Sequence, residues 1–166
     1  MSILSVYPET SPDLPNKVLT HHDDIASTLA EQGVRFERRQ AQAFEGDAVE
    51  AHREQVDGLM TGQGYVSHSV LSHEDEYQGL GEEFSLETEE SCWFVAGRGQ
   101  LNLHIGEYVY AIVCERHDLV VIPAGTRRWV DLGEHPRCVA IRMFRGKALM
   151  AYTGSSIAAQ FPRVDD

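Results

Sequence analysis

The chain has 166 residues, enough for one domain, and 42% of them are hydrophobic, which supplies one buried core and leaves disorder to the termini alone. Its 14 basic and 26 acidic residues give a formal charge of -12, which repels phosphate backbones and anionic lipid. The expected partner is therefore a small molecule or a protein, not nucleic acid and not a membrane surface. The opening "MSILSVYPETSPDLPNK" has no long apolar run and no basic start followed by a cleavage site, so the expected location is the cytoplasm. Cys92, Cys114 and Cys138 are odd in number and far apart, with no CxxC pair, which excludes a disulfide framework and a zinc knuckle.

The first part of the chain, about 1–64, reads as helical. In "HHDDIASTLAEQGVRF", Ile25, Leu29 and Val34 fall near helical spacing, Asp23 and Asp24 stand at the start, and Gly33 suits a left-handed cap. A second helix in "GDAVEAHREQVDGLMTGQGY" places Val49, His52, Val56, Leu59 and Met60 on one stripe. Asp47 is its N-cap, Glu50 completes a capping box, and Gly62 and Gly64 end it. From about residue 65 the period changes to two. "YVSHSVLS", "SCWFVAG", "QLNLHIGEYVYAIV", "DLVVIPAG" and "CVAIRMF" are short β-branched or aromatic runs between turn residues, the pattern of an antiparallel sandwich or barrel. "LHIGEYVY" turns near Gly106, and "VIPAGTRRWVDLG" is a strand, a Pro-Gly turn and a strand. The dense acidic stretch "HEDEYQGLGEEFSLETEE" reads most simply as a solvated loop. The expectation is one mainly β domain, 1–166, with N-terminal helices packed outside a barrel.

Two blocks, "EEFSLETEESCWFVAGRG" and "PAGTRR", resemble the frame of a cupin jelly-roll barrel. Such a barrel carries two histidines and a glutamate in its first block and a histidine three residues after a PxG turn in its second. "LHIGEYVYAIVCER", "DLVVIPAGTRRWVDLG", "AIRMF" and "YTGSSIAAQFPRVDD" extend the likeness, over nearly the whole chain, to the acireductone dioxygenase family. There an Fe(II) or Ni(II) ion chelates an enediolate that dioxygen cleaves. Against that pattern Glu83 matches the leading glutamate and Glu90 the ligand glutamate. Phe84, Leu86 and Arg128 stand at the three histidine positions, Cys92 stands where the family has an arginine, Trp129 is kept, and Val130 replaces a phenylalanine.

A phenyl ring and an isobutyl group offer no donor to a first-row metal, and Arg128 brings a fixed positive charge to where a dication would sit. The expectation is a chain without the family's ion and without a cofactor. Arg128 would pair with Glu90, and a pocket would open over both. The preferred function is a metal-free isomerase, lyase or cyclase, or a binder, acting on a small anionic metabolite. Its catalytic residues would be Glu90, Arg128 and Cys92, whose thiol has two readings, first a buried and inert cysteine and second a nucleophile that the neighbouring arginine acidifies. Phe84, Leu86, Phe94, Trp129 and Val130 would line the substrate. The first alternative is a non-catalytic scaffold or regulator with a closed pocket. The second is a metal-dependent acireductone dioxygenase with other ligands. His104, which the alternation of "LNLHI" sets on the face opposite Leu101 and Leu103, His68 and His73, whose spacing matches no usual ligand pattern, and His21 and His22 at a helix start are weak candidates for these.

Overall fold

A computed structural model describes residues 1–72, 79–134 and 137–164. In chain order the elements are strands β1 (Ile3–Pro8) and β2 (Lys17–Leu19), helix α1 (His22–Ala30), strand β3 (Arg35–Arg38), and helices α2 (Ala48–Ala51) and α3 (Arg53–Gln63). The strands β4 (Ser67–Leu71), β5 (Phe84–Leu86), β6 (Glu90–Ala96), β7 (Arg98–Ile105), β8 (Tyr108–Glu115) and β9 (Asp118–Ile122) follow. After them come β10 (Arg127–Asp131), β11 (Val139–Phe144), β12 (Met150–Tyr152) and a 3-10 turn at Ile157–Gln160. The strands form two antiparallel sheets, β12-β5-β10-β7-β8-β1-β2 and β3-β9-β6-β11-β4.

The core lies between the sheets because the inward residues of each strand are apolar at every second position. Leu4 and Val6 of β1, Leu101 and Leu103 of β7, Ile112 of β8, Val120 and Ile122 of β9 and Ala140 of β11 belong to one buried cluster, which Ile25 and Leu29 of α1 join. Strand β6 is buried on both faces. Its Cys92 and Phe94 enter that interior cluster, while Trp93 and Val95 point outward into a second one with Val49, Val56 and Leu59 of the helices and Ile141 and Met143 of β11. The indole N–H of Trp93 donates to the Arg39 carbonyl at 3.1 Å, so this large residue is a packing residue with its one donor satisfied.

The N-terminal part is less helical than its sequence suggests. It contributes β1, β2 and β3, which extend both sheets, so the barrel begins at residue 3 rather than near 65. The short runs "KVL" and "RFER" are too brief to show a period, and their pairing with β1 and β9 decides them. The second helix is broken at His52. Asp47 caps it, accepting from the N–H groups of Val49 and Glu50, but the Glu50 carboxylate turns to Arg53 instead of completing a capping box. His52 is buried and accepts from the Gln42 N–H at 2.9 Å through Nε2. Its Nδ1–H therefore donates to the Ala48 carbonyl at 2.8 Å. The helix ends at Gly64, left-handed with φ 76°, and not at Gly62.

The acidic stretch is also not simply a solvated loop. Its residues 73–78 lie outside the described residues, but Phe84–Leu86 is a strand and Glu83 and Glu90 are buried. Among the described residues no helix is long and apolar enough to cross a membrane.

Candidate active site in the barrel interior

Register brings the charged groups together. On β11, Arg142 stands opposite Cys92 of β6, and Phe144 stands opposite Glu90. From the other sheet, Arg128 of β10 faces Phe84 of β5. Glu90, Arg128 and Arg142 all point inward, and both carboxylate oxygens of Glu90 are taken: Arg128 Nη1 donates to Oε1 at 2.8 Å and Arg142 Nε to Oε2 at 2.6 Å. Arg128 Nε donates to the Thr126 carbonyl at 3.1 Å, and its Nη2 is buried without a hydrogen-bond partner among the described residues. Burial alone pushes the Glu90 carboxyl up, but the guanidiniums of Arg142 and Arg128 outweigh it and hold the group below the usual carboxylate range.

The expected pair of Arg128 and Glu90 is thus present, as part of a three-membered cluster. Arg142 is the residue that sequence reasoning missed. The signal was available, because it is the only charged residue in the strand "VAIRMF" and shares the inward parity of Ala140 and Phe144.

Phe84, Leu86, Phe94 and Val130 lie in the same interior. The Arg128 guanidinium sits 5.8 Å from the centroid of the Phe84 ring, near enough for a cation–π contact. Trp129 is not among them. The alternation of β10 turns it to the outer face, where it packs against Phe161 at 5.7 Å between ring centroids and against Ile157. The leading Glu83 also lies away from the interior cluster. It accepts from Thr153 Oγ1 at 2.7 Å and meets His104 Nδ1 at 2.6 Å, while His104 Nε2 meets Glu9 at 2.6 Å. That histidine is held from both sides by carboxylates, so both of its ring nitrogens are already engaged. His68 is exposed on β4, His21 and His22 stand at the start of α1, and His73 lies outside the described residues.

Two expectations about this site fail. Glu90 and Arg128 are only 4% and 1% exposed, so no open mouth bares them to solvent. Phe84, which the Arg128 guanidinium approaches, and Leu86 and Phe94 are buried in the same interior cluster. The Cys92 thiol is not acidified either. It is buried, and desolvation pushes it well above the ordinary thiol value, with the Glu90 charge adding to that rise against Arg142 and Arg128.

The donors at these positions do not fit a first-row metal ion. Phe84 and Leu86 have none, Arg128 is a cation, and both Glu90 oxygens are engaged by guanidiniums. Among the described residues no group of three or more His, Cys, Asp or Glu side chains is placed to hold an ion.

Two facing antiparallel sheets closed around this interior define a cupin barrel. Within that class the chain belongs to the acireductone dioxygenase family, since its residues 6–150 match the ARD/ARD' family. An acireductone dioxygenase of Pseudomonas fluorescens (strain Pf-5) is 50% identical over 181 aligned positions that cover all of both chains. That of Pseudomonas syringae pv. syringae is 47% identical and that of Pseudomonas aeruginosa (strain UCBPP-PA14) 42%, again over the full length of both. Among solved structures, the acireductone dioxygenase from Bacillus anthracis with a cadmium ion in its active centre superimposes with a TM-score of 0.74. It covers 92% of this chain and 98% of its own at 16% identity, a likeness of fold.

These relatives correct two expectations. The preferred reading as a metal-free isomerase, lyase, cyclase or binder gives way, because proteins 42–50% identical from end to end are acireductone dioxygenases. The expectation of no cofactor gives way with it, because those end-to-end relatives are acireductone dioxygenases and the Bacillus anthracis protein of the same name holds a metal ion in its active centre.

Proposed function

We propose that the protein works in the reaction class of its relatives, as an acireductone dioxygenase of methionine salvage acting on a small enediol substrate. The observation that carries this reading is identity of up to 50% over an alignment that covers all of this chain and all of its relative. Glu90, Arg128 and Cys92, with Phe84, Leu86, Phe94 and Val130, are the interior residues around which substrate would be held. The buried Nη2 of Arg128 supports that placement, since an unsatisfied guanidinium donor is costly to bury and the oxygens of an enediolate would satisfy it.

A second reading has a specific observation in its favour: a family member that keeps the fold and serves as a scaffold or regulator. It rests on the Arg128, Glu90 and Arg142 cluster sealed beneath Phe84 and Leu86. One experiment separates the two. The purified chain is incubated with Fe(II) or Ni(II), desalted, analysed for metal, and mixed with an acireductone in aerated buffer while oxygen and substrate are followed. The first reading expects substrate and oxygen to be consumed together, and expects Arg128→Ala to lower that rate at least tenfold. No consumption with either ion overturns it in favour of the second.

A further inference from the structure

The strongest feature outside the interior lies at the opposite end of the barrel. Strand β6 runs from Glu90 to Ala96, so the turn that follows it is roughly 20 Å from the charged cluster at the strand rise of about 3.3 Å per residue. At that far end a cavity of about 820 Å³ is lined by Arg38, Arg98, Arg116, Arg137 and His117, with Glu115 as the lining carboxylate. Four guanidiniums in one cavity are unexpected on a chain whose formal charge is -12. They come from four separate segments: the end of β3, the start of β7, the β8–β9 turn and the approach to β11.

The arginines differ in how far the protein neutralises them. Arg38 lies 3.7 Å from Glu115 and 3.5 Å from the buried Asp118, and Glu115 also pairs with the Met1 amine. Arg116 Nη2 donates to the Ala41 carbonyl at 3.1 Å, and its Nε is buried without a partner among the described residues. Arg98 and Arg137 are exposed and form no ion pair among the described residues. The backbone is shaped for this convergence. Gly97 is left-handed, with φ 68°, and a Cβ there would collide with the Arg137 carbonyl, so only glycine lets the Arg98 turn close on the Arg137 segment. His117 is the one non-glycine residue of positive φ among those described, at 87°. It is held there by its N–H bond to the Phe94 carbonyl at 2.9 Å and by the Ala41 N–H donating to Nδ1 at 2.9 Å. Nδ1 accepts, so the ring's proton sits on Nε2, a further donor among the cavity-lining residues.

We propose that this cavity is a second ligand site, which binds a small polyanion through paired oxyanion groups on Arg98, Arg137 and Arg116. Guanidinium forks match the flat oxygen pairs of phosphate and of carboxylate alike, so the shared chemistry is the oxyanion, and a cavity of this size admits a molecule with two or three such groups.

Titration calorimetry of the full chain tests it at constant ionic strength, with pyrophosphate as the phosphate probe and citrate as the carboxylate probe. Either probe is expected to bind with 1:1 stoichiometry. The variant Arg98→Gln/Arg137→Gln is expected to weaken binding about tenfold or more, while Arg53→Gln, an exposed arginine on α3, leaves it unchanged. Both cavity positions are exposed, and circular dichroism verifies that the double variant folds. The probe that binds more tightly names the ligand class. Absence of binding by both probes, or equal binding by the wild type and the double variant, overturns the proposal.

Discussion

Glu90 shows how a single buried carboxylate is kept charged. Desolvation alone would raise its pKa, and two guanidiniums reverse that direction and hold the carboxyl below its ordinary value. The sign for stability follows from this direction. A carboxyl whose folded pKa is depressed contributes stability that is full above its unfolded value, and that stability is lost as the pH falls through the folded one. Urea denaturation between pH 7 and pH 3 is therefore expected to show stability falling more steeply for the wild type than for Glu90→Gln, and parallel curves would contradict it. Cys92 makes the opposite case at the same scale. All three cysteines are buried and free, and burial pushes Cys92 and Cys114 well up and Cys138 to about 12. Iodoacetamide at pH 8 is expected to leave the native chain unlabelled over an hour and to label three thiols in urea, as read by mass spectrometry.

Elements after residue 65 were legible where their period was long enough to declare itself, whereas β1, six residues of alternating burial, was read with the helical part. Strands β6 to β11 alternate over five to eight residues, and each could be placed from its sequence. The three-residue strands β2, β5 and β12 could not, because pairing rather than side-chain pattern defines them. Strand β5 matters most, since it carries Phe84 and Leu86 into the interior from a stretch whose charge suggests a solvated loop. Helix α2 depends on its cap, and Asp47→Ala is expected to cost about 1 kcal/mol in chemical denaturation. Gly97 is the more demanding position. Gly97→Ala would place a methyl against the Arg137 carbonyl at a left-handed φ, and the expected loss is about 2 kcal/mol or more by the same measurement.

At the scale of the whole molecule, the interior charges join the two sheets. Arg128 hangs from β10 in the seven-stranded sheet, while Glu90 and Arg142 hang from β6 and β11 in the five-stranded one. The likeness of the blocks around Glu90 and Arg128 to a cupin frame made two of this cluster's three members readable, since it put both residues at one site. Arg142 escaped although it stands in "AIRMF", because that likeness gives it no site role and only its inward parity on an apolar strand reveals one. Trp129 was misplaced for the converse reason: motif membership suggested the site, and strand alternation sends the ring outward.

The central claim is that one carboxylate shared by two guanidiniums holds this interior together. Its most direct test is the unfolding free energy of Glu90→Gln at pH 7. The neutral amide would remove the carboxylate that Arg128 and Arg142 share in the buried interior, and a loss of about 3–5 kcal/mol is expected. A loss below about 1 kcal/mol would contradict it.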